Sequence, residues 1–189
     1  MPTLTRVTKL YSVVDAKIAA LTADPSTGSP TYATVIDVPG IQTMEISGDV
    51  ETKQLRGDNT KLDSNSTVSN IQVKVDHARL SLDVLVAILG GTVTDSGTTP
   101  AQKTVWDLTA ATATLPPFKL EGVTPAGGTD LIGGDLHWTL HKLNLSAFPD
   151  LGFAQEDYRI VSFTADASPL ISNGKWISAT LNETAAAIV

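Results

Sequence analysis

From Asn70 to His77 the chain alternates without exception: Ile71, Val73 and Val75 on one side, Gln72, Lys74 and Asp76 on the other. A period of two describes a strand with one apolar and one wet face, and no helix can use it. Only one segment has helical spacing. Leu82, Leu85, Val86 and Leu89 fall at i, i+3, i+4 and i+7, Ser81 offers an N-cap, Asp83 suits the first turn, and Gly90-Gly91 ends the run. Those four residues are expected to pack the helix on a sheet. Val84, Ala87 and Ile88 fill its far side, so it should be deeply buried or half covered by another subunit. The 25 Thr and 20 Ala fit many short strands.

Further strands are expected at residues 10–21, 32–38, 105–109, 118–123, 158–166 and 176–181, with Asn173-Gly174 as a hairpin turn before the last. Residues 43–56 make one very long strand, or two joined at Gly48. Residues 135–148 show a parity switch: Leu136, Trp138 and Leu140 are even, Leu143 and Leu145 odd. A one-residue shift of this kind predicts a bulge or a strand crossing between sheets. Trp106, Trp138 and Trp176 all fall in apolar-alternating contexts and read as core. The fold class is mainly β: a β-sandwich or barrel with one flanking α-helix and long loops, a single domain over residues 1–189. Gly57-Asp58-Asn59 turns the chain into a polar arm at residues 56–69, and residues 92–104 read as a flexible loop of Thr, Ser, Gly and Pro.

With no cysteine, disulfides, thiolate metal sites and cysteine catalysis are excluded together. A net charge of −7 argues against a protein that grips phosphates. No apolar run reaches the roughly 18 residues of a membrane span, nor does the N-terminus look like a signal peptide. On a strand, His137 and His141 would lie about 13 Å apart and could not share an ion; they read as wet-face histidines, and His77 as isolated. No nucleotide-binding, metalloprotease or serine-hydrolase motif occurs. Asp49 and Glu51, about 6.6 Å apart by strand rise, have the spacing of a glycosidase pair. Residues 42–67 contain no aromatic residue to form a sugar platform. No catalytic residue, cofactor or metal is therefore expected.

An acidic β face without a catalytic set has another use. In a closed ring of identical subunits, carboxylates repeated around the bore let a polyanion pass without adhering, because no cation is offered for counterion release. Thr43, Glu45, Ser47, Asp49 and Glu51 fit such a lining.

The order of segments carries a resemblance. Asp15-Ala16-Lys17-Ile18, Tyr32, Pro39-Gly40-Ile41-Gln42, Leu55-Arg56-Gly57-Asp58-Asn59 with the polar arm, and Leu80-Ser81-Leu82-Asp83-Val84-Leu85 closed by Gly90-Gly91 resemble the major tail tube proteins of long-tailed, non-contractile bacteriophages. The resemblance covers about residues 10–91, and beyond that only a pattern of strands. It implies a virion protein, assembled in the host bacterial cytoplasm, whose hexameric rings stack into a tail tube that conducts DNA without specific binding. The implied partners are further copies of itself and the tape measure, tail terminator and distal tail proteins, with no membrane. Arg56, Asp58, Asn59, Lys61 and Asp63 then belong to an arm contacting the next subunit or ring. Some relatives append an immunoglobulin-like C-terminal domain, which is not expected here. A tail terminator or baseplate ring, or a carbohydrate-binding adhesive sandwich, remains an alternative.

Overall fold

The computed structural model describes residues 8–9, 11–112, 114–128, 131–152, 155, 158 and 160–188; Leu10, expected in the first strand, lies outside them. Among the described residues the elements are β1 (Asp15–Ala23), β2 (Thr31–Tyr32), β3 (Ile36–Asp37), β4 (Ile41–Gly57), β5 (Thr60–His77), α1 (Leu82–Leu89), β6 (Thr92–Ser96), β7 (Lys103–Asp107), β8 (Phe118–Pro125), β9 (Asp135–Leu145), β10 (Val161–Ala167) and β11 (Ile177–Asn182). Nine strands form one antiparallel sheet in the order β2-β1-β8-β9-β10-β5-β4, with β3 also on β1 and β11 also on β9; β6 and β7 make a separate ribbon. The fold is thus mainly β, with one helix.

The sheet curls over a single core. Its two halves meet where Met44 of β4 lies against Gly122 of β8, in space that a Cβ at residue 122 would need. Ile18, Val73, Val75, Leu120 and Leu140 fill the interior. Phe118 and Phe163 meet edge to face there, with centroids 6.2 Å apart. The parity switch in β9 is a bulge: Leu120 pairs with Leu140 but Phe118 with Leu143, leaving one extra residue on β9. Both leucines on β9 are thereby buried despite their opposite parity.

Helix α1 begins at Ser81, whose Oγ accepts from the Val84 amide at 3.4 Å, and ends at Gly90 with φ of +77°. Its buried face is Val84, Leu85, Ala87, Ile88 and Leu89. Leu85 and Leu89 therefore pack as expected, whereas Leu82 lies at the core's margin and Val86 is half-buried. An all-round apolar helix has no stripe to read; only Asp83 marks the wet side.

Four expectations need correction. Residues 60–69 are not an irregular arm: they are the first half of the 18-residue strand β5, paired with β4 down to the turn. Residues 92–104 are not a flexible loop, because β6 and β7 pair from Thr92–Asp107 to Ser96–Lys103. Asn173-Gly174 does turn the chain, but β10 and β11 do not form a hairpin. Both pair with β9, β10 along Leu143–Leu145 and β11 along Asp135–Leu140, so they lie end to end on one side of it. The tryptophans are half-buried, Trp106 packed against the margin of the core and Trp138 and Trp176 outside it. Trp106 donates from Nε1 to the Gly90 carbonyl at 3.1 Å, tying the ribbon to the helix end, and Trp138 lines an open cavity of about 550 Å³ beside Met44 and Val123.

Candidate functional site

The residues proposed for the bore sit on the outer side of β4, opposite Met44 and Ile46, which face the core. Strand register extends this wet face sideways: Thr43, Asp76 and Ser162 form one row; Glu45, Lys74 and Thr164 the next; Ser47, Gln72, Asp166 and Asn144 the third. Asp49 opposite Asn70 closes it. The face carries four carboxylates, those of Glu45, Asp49, Asp76 and Asp166, to the single ammonium of Lys74. Thr43 Oγ1 donates to Asp76 Oδ2 at 2.6 Å and Gln72 Nε2 to Asp166 Oδ1 at 2.9 Å, while Lys74 lies 3.9 Å from Asp76. The Thr43 bond, helped by Ser162 and Lys74 against the penalty of burial, holds the Asp76 carboxyl below its ordinary range. Asp76 is therefore ionised at neutral pH.

Beyond Gly48 the β4–β5 hairpin leaves the body. Among the described residues no other element pairs with it, and residues 49–69 are exposed throughout except Gly57. From Asp49 to Gly57 it projects about 27 Å at the usual strand rise. Its tip is a two-residue turn, Asp58 at φ +47° and Asn59 at φ +60°, the primed geometry that suits strand twist. Thr60 Oγ1 braces the turn on the Gly57 carbonyl at 2.8 Å. Glu51, exposed at the base, pairs with Lys53 at 3.7 Å. Toward the tip Arg56 stands opposite Lys61, with Arg56 bonded only sideways to Gln54 at 3.1 Å; Asp63 caps the Ser64 amide at 2.7 Å. Val50 (62% exposed) sits opposite Val68 (57%), and Leu55 (62%) and Leu62 (64%) lie nearer the tip. The structure thus joins the bore residues and the arm residues in one hairpin.

Sequence reading missed a second polar constellation. His137 is not wet-face: it is 5% exposed, with Nδ1 2.8 Å from Glu121 Oε1 and Nε2 3.1 Å from Asp135 Oδ2. The Nε2 contact to Asp135 does not meet hydrogen-bond geometry. The two carboxylates lie on opposite sides of the ring, and among the described residues no group of His, Asp and Glu converges as metal ligands. His141 is half-buried with Nε2 2.7 Å from Ser178 Oγ, and His77 is buried, its Nδ1 2.7 Å from the Arg79 carbonyl. No helix among the described residues is long and apolar enough to cross a membrane. No protein-family model matches the chain, and no curated protein matches it in sequence.

Proposed function

We propose that this chain is a structural virion protein of the tail tube kind, performing no chemistry, whose copies join into hexameric rings that stack into a conduit for DNA. The observation that carries this reading is β4: a proline-free strand of 17 residues, paired on one side only among the described residues, continuous with a carboxylate-rich face and ending in a projecting hairpin. A long regular edge is an aggregation hazard unless something pairs with it, and pairing between identical subunits closes a barrel and removes the edge. A two-stranded ribbon is marginal alone in water. This one exposes four large apolar side chains and sets Arg56 against Lys61, like charges that disfavour each other across a ladder. Both features are relieved by a neighbouring copy that covers the valines and leucines and supplies carboxylates to the tip. The acidic face then lines the bore, where a polyanion slides. Tape measure, tail terminator and distal tail proteins would meet the ends and lumen of such a tube.

Negative-stain microscopy of the purified chain at high concentration tests the reading. Rings or tubes with a central channel are expected. A persistent monomer that binds glycans would overturn it, and short capped rings that never stack would favour a terminator or baseplate component.

A further inference from the structure

β1 and β3 pair with Lys17 opposite Asp37, and the Val38 amide still bonds the Ala16 carbonyl at 2.9 Å. Continued in that register, Val13, Ser12 and Tyr11 would stand opposite Ile41, Gln42 and Thr43. They do not, because the backbone breaks on both sides. Pro39 has no N–H to offer, Gly40 turns at φ +71°, and Ser12 sits at φ +63°. Residues 43–46 follow β5 instead. The Val14 amide bonds the Val123 carbonyl of β8 at 2.9 Å, and Thr124 Oγ1 donates to the Tyr11 carbonyl at 3.1 Å. Between these two walls the sheet is left with an open seam. It is the cavity of about 550 Å³, with Gly122, Val123, Thr124 and Trp138 between residues 11–13 and residues 42–46. Among the described residues none that lines it is charged. Charge gathers just past its end instead, where burial and the Asp15 carboxylate push the Asp37 carboxyl above its ordinary range, against Lys17 at 4.0 Å from Asp15.

We propose that this seam receives the hairpin tip of a second copy, with Leu55 and Leu62 entering the cavity and Arg56 and Lys61 meeting Asp15 and Asp37. The two surfaces are complementary in both respects. Leu55 and Leu62 are 62% and 64% exposed, and an uncharged cavity rich in apolar side chains is where they lose that exposure. Arg56 stands opposite Lys61, a pairing of like charge that disfavours itself, as the crowded carboxylates do beside the seam. Docking sets the cations against the anions. Leu55 and Arg56 are neighbours on one strand and point to opposite faces of the ribbon, as a tip held between two walls requires. A small apolar molecule would fill the cavity and leave both sets of charge unmatched.

A copy cannot fill its own seam. The β4 wall of the cavity and the tip belong to one strand, and from Ile46 to Leu55 that strand runs about 30 Å away from the cavity at the usual rise. Donor and acceptor are therefore different patches of the same chain. Such a contact is head-to-tail: each copy gives a tip to one neighbour and takes one from the other, which closes a ring where the rotation allows and otherwise continues as a filament. This inference rests on the assembly reading for the identity of the occupant, and adds the place where the hairpin docks.

Because the chain has no cysteine, single engineered thiols report the contact. Leu55→Cys in one chain and Gln42→Cys in another, mixed at high concentration under oxidised glutathione, should cross-link at least about tenfold faster than Leu55→Cys with Ala101→Cys, since docking concentrates the first pair. Ala101 is exposed in the turn between β6 and β7 and serves as the undocked reference. Adding Asp15→Lys and Asp37→Lys to the Gln42→Cys chain should abolish the advantage. Adding Arg56→Glu and Lys61→Glu to its Leu55→Cys partner should then restore it, a rescue that a misfolded acceptor would not show. Equal rates for the two thiol pairs, or an advantage indifferent to the reversed charges, would overturn the proposal. Tubes that form while the two pairs react equally would overturn this docking and leave the assembly reading standing, whereas a lasting monomer would overturn both.

Discussion

Gly91 stands where α1 hands the chain to β6, at φ of +89°, with the Asp107 carbonyl and Trp106 Nε1 in the space a Cβ would occupy. Two costs meet at this residue, a left-handed backbone that side chains disfavour and a close approach to the ribbon. Gly174 separates them, since its φ is +67° but nothing lies within contact of an added Cβ. Gly174→Ala should cost only the backbone term, about 1 kcal/mol. Gly91→Ala adds the collision and should cost about 2–4 kcal/mol in urea unfolding with an unchanged slope. Equal costs at the two glycines would mean that the helix and ribbon yield freely at their junction. The Trp106 bond to the Gly90 carbonyl argues for rigidity there.

At the scale of elements, the proposed assembly would make the β4–β5 hairpin the place where folding and association separate. Val50 and Val68 face each other outside the core, so Val50→Ser with Val68→Ser removes no packing from the body. Subunit stability should change by no more than about 0.5 kcal/mol per site, while formation of rings or tubes falls sharply. Calorimetry of the monomer alongside sedimentation at high concentration reads both; a large loss of subunit stability would show the pair to be part of the core after all. The hairpin also explains what was legible in the chain. Residues 70–77 and the bulge in β9 were readable because one face of each strand touches the core, and burial writes a period of two into the sequence. Among the described residues, 60–69 pair with β4 alone and are exposed throughout. With both faces wet no alternation is selected, and only the Gly57-Asp58-Asn59 turn betrays the strand. In the ribbon, β6 was hidden in much the same way, since only Val93 is partly covered, whereas β7, whose Trp106 packs against the core, was read in part at residues 105–109. His137 failed differently: local alternation placed it on a wet face, but the C-terminal segment, held by Asp135 some fifty residues before it, covers that face.

Charge is a property of the whole molecule, and its distribution matters more than its total of −7. Four carboxylates to one ammonium gather on the outer face of β4, β5 and β10, while three of the thirteen Lys and Arg lie within residues 53–61 at the projecting tip. Such a division gives repelling walls and attractive joints when copies combine. Glu45→Lys with Asp49→Lys inverts the wall, leaving two carboxylates against three ammonium groups. Both side chains are exposed, so the subunit should still fold, with a small penalty because the ammonium introduced at the first site stands opposite Lys74. Assembled tubes of the wild type should not retain duplex DNA at about 50 mM salt. Tubes of the double variant should retain it, and release it steeply as salt rises to about 200 mM, because each neutralised phosphate frees a counterion. Retention independent of the two substitutions would place the face outside the bore, since the same charges turned to open solvent would leave DNA in the channel undisturbed.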